Sequence, residues 1–261
     1  MRIVRFTPGP DAGLGQDPLF GVLEDDGLIS IISGDPISSG IQKTAATIEL
    51  NKVRLLAPII PRSKVVCIGK NYADHAAEMG GVVPDEPIIF LKPNTSVIGP
   101  NDTIVWPEMS ERIDHEAELA IVIGRICKDV PKERVNDVIF GYTIANDVTA
   151  RDLQKKDGQW TRAKSFDTFC PIGPWVDTDF VPGTQKITAT IAGEVKQSAQ
   201  ISDMIFDVPT IINFVSRVMT LLPGDIILTG TPAGIGPMVA GEKATMAIEG
   251  LGELTNKVSA Q

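Results

Sequence analysis

The sequence predicts a mixed, predominantly β fold with a few helices and a small β-rich domain at the N-terminus. Short runs of β-prone residues, bounded by glycine, proline and aspartate, recur along the whole chain. Helical spacing of apolar residues is convincing in one segment only. Strands without regular intervening helices favour a mostly antiparallel sheet over a doubly wound parallel one.

Residues 1–54 form the first unit of this prediction. Apolar runs at residues 20–23 and 28–32 alternate with Gly, Asp and Pro turns, which is typical of short strands. Pro58 and Pro61 follow, and proline fixes an extended backbone and removes a hydrogen-bond donor. We therefore predict an N-terminal β-rich domain over residues 1–60, ending in this proline linker, and a main domain over residues 61–261.

The main domain continues the strand pattern. One segment, residues 208–222, has apolar residues at steps of three and four and predicts a helix. Asp207 and Pro209 suit the start of that helix, and the Pro-Gly pair at 223–224 suits its end. The predicted strands are residues 65–68, 88–91, 119–126, 139–146, 187–192 and 226–229.

Composition and charge exclude several classes of protein. A chain of 261 residues with 43% hydrophobic and 22% charged residues is typical of a folded globular protein. Its formal charge of −9 disfavours nucleic acid and anionic membrane surfaces as partners, because both are bound through Lys and Arg. A small anionic substrate remains compatible, since a bound cation can reverse the field inside one cleft.

Cysteine content indicates the compartment. Cys67, Cys127 and Cys170 are widely spaced, so the chain shows neither a disulfide framework nor a thiolate zinc site. We expect a reducing, cytoplasmic location. The first residues lack the apolar core of a signal peptide, and no run approaches the roughly 18 to 20 apolar residues that span a bilayer.

An acidic cluster predicts a metal site. Glu116 and Glu118 lie two apart and lead into the β-prone run at 119–123, so on a strand both side chains leave the same face. Buried together, they repel each other unless a cation or protons compensate, and oxygen ligands suit Mg²⁺ or Mn²⁺. Asp147 would supply the third ligand. The alternative, commoner for an isolated Glu-x-Glu pair, is that both glutamates face solvent.

A second pair has the spacing of a general base and its orienting group. His75 and Glu78 lie three apart, which on a helical turn places imidazole and carboxylate on one face. A carboxylate that orients an imidazole helps it to take a proton from water near neutral pH. The alternative is a surface helix with two solvated neighbours. His115, flanked by acidic residues, is expected behind the ligands or facing outward.

Six motifs in order resemble the fumarylacetoacetate hydrolase family. The resemblance runs from about Leu55 to the C-terminus. It includes the NYADH-x3-M and TARD-x-Q patterns of the branch that acts on acylpyruvates and oxaloacetate. The motifs are residues 67–78, 90–93, 114–119, 146–152, 163–167 and 229–236.

The resemblance implies a rolled mixed β-sandwich, usually a homodimer, and further site residues. It places His75 and Glu78 on a mobile lid that activates water, and Lys164 beside the metal, where an ammonium stabilises an enolate. Gln154 would contact the lid histidine or the substrate, and Thr231 the substrate carboxylate. As bare residues, Gln154 equally suits a polar helix position and Thr231 a tight turn. The sequence assigns no role to the neighbouring Lys70 and Tyr72.

The resemblance also implies a function. The expected protein is a Mg²⁺- or Mn²⁺-dependent enzyme that acts on small anionic 2-oxo acids through a metal-stabilised enolate. It would cleave a C–C bond, in oxaloacetate decarboxylation, acylpyruvate hydrolysis or both. One alternative is a 2-hydroxyhepta-2,4-diene-1,7-dioate isomerase or 5-oxopent-3-ene-1,2,5-tricarboxylate decarboxylase of aromatic catabolism. Another is a non-catalytic ligand-binding homodimer. The far wall of the pocket is expected from residues 79–87 and the N-terminal unit.

Overall fold

The structure, a computed structural model, describes residues 1–259 and is predominantly β, as the sequence predicts. The helices are α1 (Pro36–Ser39), α2 (Ala73–Glu78), α3 (Arg151–Asp157), α4 (Thr161–Lys164) and α5 (Val208–Val218). The strands are β1 (Arg2–Pro8), β2 (Leu19–Leu23), β3 (Leu28–Ile32), β4 (Lys43–Glu49), β5 (Val53–Leu55), β6 (Val65–Gly69), β7 (Ile88–Lys92), β8 (Val97–Ile98), β9 (Thr103–Ile104), β10 (Ile113–His115), β11 (Ala117–Ile123), β12 (Ile139–Asn146), β13 (Thr149–Ala150), β14 (Cys170–Asp177), β15 (Lys186–Ile191), β16 (Glu194–Gln200), β17 (Ile226–Leu228), β18 (Gly236–Pro237), β19 (Lys243–Ile248) and β20 (Gly252–Val258).

The strands form three sheets. The largest has 12 strands in the order β4-β3-β2-β1-β14-β12-β11-β17-β6-β7, with β5 paired to β1 and β8 to β14. A five-stranded sheet has the order β16-β15-β19-β20-β9, and a small one the order β13-β10-β18. Most neighbours are antiparallel, whereas β17 and β6, β14 and β8, and β20 and β9 are parallel, so the architecture is mixed.

The centre of the large sheet is covered on both faces. Along β11, Leu119, Ile121 and Ile123 enter the core shared with the five-stranded sheet and α5, and Ala120 and Val122 enter a second core on the other face. Burial on both faces explains why this run is apolar without alternation. The consequence for function is that any charged side chain at the start of β11 lies in the interior.

The N-terminal residues join the same large sheet. One edge of strand β1 pairs with β14 through Arg2 and Ile3 and with β5 through Phe6 to Pro8, and its other edge pairs with β2. A separate small core, which includes Val4 and Phe6, lies under these strands. The division of the chain near residue 60 stays a prediction, since one continuous sheet crosses it.

The predicted helix at 208–222 begins where expected and ends earlier. Asp207 caps α5 by accepting a hydrogen bond from Thr210 N–H at 2.9 Å. The helix ends at Val218 because Met219 adopts extended backbone angles, φ −144° and ψ 149°. The apolar pattern runs on because Met219 still packs against the same core. Within residues 1–259, no helix has the length and hydropathy to cross a membrane.

Candidate active site

Three carboxylates meet where β11 begins and β12 ends. The two strands are antiparallel, with Ala117 opposite Asn146 and Glu118 opposite Ala145, so the residues flanking Asn146 lie beside those flanking Ala117. Asp147 N–H donates to the Glu116 carbonyl at 2.9 Å. Glu116, Glu118 and Asp147 are 4%, 2% and 0% exposed. One carboxylate oxygen of each lies within 4.8 Å of the others, as a shared cation requires.

Three buried cations surround these carboxylates. Asp147 accepts from Lys92 Nζ at 2.5 Å through one oxygen and from Lys164 Nζ at 2.6 Å through the other. Glu116 accepts from Lys164 Nζ at 2.8 Å and from Arg151 Nη2 at 2.5 Å. We call these carboxylates and the cations bonded to them the floor: Glu116, Glu118, Asp147, Lys92, Arg151 and Lys164.

The ionisable groups of the floor differ in the direction of their pKa shifts. Burial alone would raise the pKa of Glu116, but the positive charges of Lys164 and Arg151 outweigh it and hold that pKa far below its usual range. Burial likewise disfavours the charged form of Lys164, yet the carboxylates of Asp147 and Glu116 raise its pKa. Burial raises the pKa of Glu118 well above its usual range, and the negative charges of Asp147 and Glu116 add to the effect.

The raised pKa of Glu118 and the convergence of the three carboxylates bear on whether these residues suit a metal ion. Glu118 accepts one hydrogen bond, from Gly230 N–H at 2.6 Å, and has no ion pair within the described residues 1–259. An additional positive charge beside it would stabilise its ionised form. Three converging carboxylates are a hard donor set, so the residues fit a cation such as Mg²⁺ or Mn²⁺.

Opposite the floor lies a segment that we call the cover, residues 70–87. It contains α2, where the His75 ring is 6% exposed. His75 Nδ1 and a carboxylate oxygen of Glu78 are 3.2 Å apart, so the structure brings the predicted pair together. The second oxygen of Glu78 accepts from Gly234 N–H at 3.1 Å, which ties the cover to the glycine-rich turn at 229–236. His75, Lys70 and Met79 line one cleft with the floor residues other than Lys92.

Gln154 and Thr231 also line the cleft. Gln154 Oε1 accepts from Arg151 Nη1 at 2.6 Å, so its amide nitrogen is the group left for a ligand. Thr231 Oγ1 accepts from Gln197 Nε2 at 2.8 Å. Because an amide nitrogen only donates, the Thr231 hydroxyl proton is left free for another acceptor.

The sequence did not indicate Gln197, which is fully buried in β16. Its Oε1 accepts from Ala117 N–H at 2.9 Å, between the two glutamates, and its Nε2 also donates to the Pro232 carbonyl at 2.7 Å. These partners fix which end of the amide is oxygen. No sequence signal could have found this residue, because its neighbours Lys196 and Ser198 are exposed polar residues of the same strand.

Lys92 is a second functional residue that the sequence did not assign, although it lies in one of the family motifs. It is 1% exposed and donates to Asp147 and to the Val148 carbonyl at 3.2 Å. A lysine in a β-prone run, followed by a proline, was the available signal. Arg151 pairs with Glu116 and Asp114 rather than with the adjacent Asp152.

Two other side chains near the motifs lie away from the cleft. His115 does not face outward: it is 1% exposed, beside the backbone of Gly236, and burial lowers its pKa. Tyr72 is buried and lines a different pocket, with Asp74 and Asp203. Neither belongs to the floor.

The far wall of the cleft differs from the expectation. Met79 is its one contribution from residues 79–87, and within residues 1–259 no residue of the N-terminal unit lines it. Phe90 and Trp160 line it as well; their rings meet edge to face with centroids 5.2 Å apart, and the Lys164 ammonium lies 5.0 Å from the centroid of the Phe90 ring. A Cβ atom at Gly69 would lie 2.7 Å from the Trp160 ring, so glycine lets the indole approach the backbone.

Comparison with known proteins gives the same assignment for most of the chain. The model of the fumarylacetoacetate (FAA) hydrolase C-terminal family matches residues 64–259, and an Rv2993c-like N-terminal family model matches residues 1–58. Oxaloacetate tautomerase Fahd2a, mitochondrial, of Rattus norvegicus is 43% identical over 80% of this chain and 70% of the relative.

Solved structures agree over nearly the whole length. The crystal structure of 2-hydroxyhepta-2,4-diene-1,7-dioate isomerase from Mycobacterium marinum has a TM-score of 0.88 and 48% identity, covering 99% of this chain and 98% of that one. Maleylpyruvate hydrolase from Sphingobium sp. SYK-6, in complex with manganese(II) and pyruvate, has a TM-score of 0.79 and 32% identity, covering 99% of each chain. These relatives are a tautomerase, an isomerase and a hydrolase.

Proposed function

This chain belongs to the fumarylacetoacetate hydrolase family, and on that premise we propose that it is a divalent-metal-dependent enzyme that acts on a 2-oxo acid through its enolate. The observation that carries the proposal is the convergence of three buried carboxylates within 4.8 Å at the end of one cleft. The manganese(II) and pyruvate bound to the maleylpyruvate hydrolase support it.

Glu116, Glu118 and Asp147 are the residues that would hold the cation. When bound, Mg²⁺ or Mn²⁺ supplies Lewis-acid polarisation of a 2-oxo group. Lys164 Nζ, 2.6 Å from Asp147 and 2.8 Å from Glu116, adds an ammonium beside the place where enolate charge develops. Lys92 and Arg151 hold the carboxylates in place through short charged hydrogen bonds.

Thr231 and Gln154 would position the substrate. The Thr231 hydroxyl, with its oxygen already bonded to Gln197, has a proton to donate to a substrate carboxylate. Gln154 has a free amide nitrogen at the cleft, since its oxygen is bonded to Arg151. Both donors suit an anionic ligand, which agrees with a small 2-oxo acid.

Two C–C cleavage reactions fit this arrangement. In oxaloacetate decarboxylation carbon dioxide leaves and no attacking water is needed. In acylpyruvate hydrolysis a water must lose a proton as it attacks the distal carbonyl, and the His75–Glu78 pair favours this second candidate. Isomerisation of a diene-dioate uses the same enolate with proton transfer instead, and the identity to the M. marinum isomerase keeps it as an alternative.

A parallel assay tests the proposal. The purified protein is given oxaloacetate, acetylpyruvate, fumarylpyruvate and the diene-dioate, each with Mg²⁺, with Mn²⁺ and with a chelator. We expect metal-dependent turnover of at least one substrate. No turnover of any of them by metal-loaded protein would leave the non-catalytic ligand-binding alternative.

Thermal shift separates an enzyme site from a simple ligand site. Oxalate mimics enolpyruvate, so we expect the melting temperature to rise most when oxalate and Mg²⁺ are present together. Size-exclusion chromatography with light scattering would test the homodimer, which the resemblance implies. The cytoplasmic location stays a prediction from the cysteine content.

A further inference from the structure

Lys70 has an unusual backbone conformation at the edge of the cleft. It follows β6 directly and has φ of +55°, a region that residues other than glycine rarely adopt. Its side chain is half-buried and lines the cleft with His75 and Trp160. Strained backbone of this kind persists where the surrounding structure enforces it, often at ligand sites.

Among the described residues 1–259, Lys70 is also the cation at the cleft that lacks an anionic partner. Lys92, Arg151 and Lys164 each donate to one or two carboxylates of the floor or of Asp114. Within the part of the chain that the structure describes, residues 1–259, Lys70 makes neither an ion pair nor a side-chain hydrogen bond. An ammonium at a cleft with no counter-ion is suited to an anionic ligand.

The register of the sheet places Lys70 away from the floor. Cys67 pairs with Leu228 in β17, and Leu228 pairs with Ala120 in β11. Two residues beyond Cys67 in β6, Gly69 is therefore level with Glu118 in β11, which lies two residues before Ala120, and β17 lies between the two strands. Two strand spacings separate them, about 10 Å. The backbone of Lys70, one residue beyond Gly69, therefore lies about two strands away from that of Glu118.

The cover passes close to the Lys70 ammonium. A Cβ atom at Gly81 would lie 2.5 Å from Lys70 Nζ, so the chain at Gly81 passes directly over the ammonium because it has no side chain there. The apolar side chains of Ile68, Met79, Phe90 and Trp160 line the cleft together with Lys70 and the floor carboxylates. A ligand that reached from the floor to Lys70 would therefore meet an ammonium at its distal end.

We propose that Lys70 binds the second carboxylate of the substrate and so selects 2-oxo dicarboxylic acids. The inference rests on the proposed function, in which the first carboxylate and the 2-oxo group lie at the floor. A substrate with a neutral acyl end would leave Lys70 unpaired. Lys70 is thus a specificity residue, and the chemistry at the floor does not require it.

Two acylpyruvates that differ at the distal end provide the kinetic test. Fumarylpyruvate has a second carboxylate and acetylpyruvate has none, whereas the bond cleaved is the same. Lys70→Met should raise KM for fumarylpyruvate about tenfold or more, the effect of losing one charged hydrogen bond, with little change for acetylpyruvate. Lys70→Arg should restore most of the difference. Equal changes for both substrates would overturn the proposal.

A binding measurement separates this inference from the proposed function. Calorimetry with Mg²⁺ compares 2-oxoglutarate with 2-oxobutyrate, which differ in the distal carboxylate and need not turn over. The wild type should bind 2-oxoglutarate about tenfold or more tightly, and Lys70→Met should abolish that preference. Equal wild-type affinities, or a preference that survives in the variant, would refute the role of Lys70 even in an active enzyme. Lys70→Asn, whose side chain tolerates a positive φ, is the second neutral variant if Lys70→Met folds poorly.

Discussion

The floor and the cover face the same cleft but are held by different kinds of structure. The floor carboxylates lie at the ends of two central strands, and Asp147 is bonded to two lysines. The cover is a short helix followed by irregular chain, with Val82 88% exposed, and Glu78 reaches the glycine-rich turn through one hydrogen bond of 3.1 Å. The large sheet therefore fixes the positions of the floor carboxylates, whereas a few side-chain contacts fix the position of the cover.

The difference indicates a division of roles. Charges that must be held at fixed separations to bind a cation are built on paired strands, where the register sets the geometry. His75, the proposed base, and Lys70, the proposed distal cation, are on the segment with more exposed residues, which is where low local stability is expected. Substitutions in the floor and in the cover should therefore affect different properties of the protein.

The largest expected effects come from the floor. Glu116→Gln and Glu118→Gln should each remove the metal and lower activity by about a thousandfold or more, because a cation ligand is lost. In the presence of a chelator, the two variants should differ in folding stability. Glu116→Gln removes one of the two buried carboxylates that each of Lys164 and Arg151 contacts, leaving Asp147 and Asp114, and should cost up to about 3 kcal/mol of folding stability. Glu118→Gln removes a carboxyl with a raised pKa and should cost little.

Elemental analysis and chemical denaturation with a chelator check this contrast. Retention of metal by either variant would contradict the ligand assignment. Equal loss of stability in both would contradict the charge distribution that we assign to the floor.

The next largest effect is expected in the cover. His75→Ala should lower acylpyruvate hydrolysis by about a hundredfold to ten-thousandfold, the usual contribution of a general base. Oxaloacetate decarboxylation needs no attacking water and should be spared. Metal content should not change, since the floor is intact. Both activities are measured on the same preparation, and equal loss of both would show that the histidine is not specifically a base for water.

A smaller effect is expected between the two regions, at Gln197. Gln197→Glu cannot donate to Thr231 or to the Pro232 carbonyl, so the Thr231 hydroxyl would turn toward residue 197. KM for the substrate should rise about tenfold with a smaller change in kcat. Thr231→Val should have a similar effect, and the double variant little more than either alone. Additive losses in this double-mutant cycle would show that Gln197 does not act through Thr231.

The smallest effect is the pH dependence of metal affinity. Burial and the neighbouring carboxylates raise the pKa of Glu118, so its proton competes with the cation above the ordinary glutamate pKa of about 4.3. Affinity should fall by up to about tenfold per pH unit below the raised pKa. In metal-free protein, folding stability changes with pH in the opposite direction to metal affinity. The protonated Glu118 carboxyl contributes folding stability at low pH, and this contribution is lost as pH rises through its folded pKa.

Manganese binding measured by calorimetry across that pH range tests the competition. Release of a proton on binding should appear as a dependence of the heat on the ionisation enthalpy of the buffer. Binding with no proton release at any pH would contradict the raised pKa of Glu118.

Local patterns determined several of the central strands and the acidic cluster. The predicted runs at 65–68, 88–91, 139–146 and 226–229 lie within one residue of observed strand ends. The spacing of Glu116 and Glu118 was sufficient to predict that they share a site, because alternation along a strand is a local property. The helix that begins at Val208 was likewise predictable from its N-cap residue and from the helical spacing of its apolar residues.

Tertiary structure alone decided which side chains complete the site. Gln197 comes from another sheet, and Lys92 comes from a strand separated from β11 by β17 and β6. Their roles depend on partners 80 and 55 positions away in the chain, Ala117 and Asp147 respectively. The unpaired state of Lys70 is likewise a property of what surrounds it in space. Sequence spacing carries the direction of a side chain on its own element, whereas the pairing of buried charges depends on packing between elements.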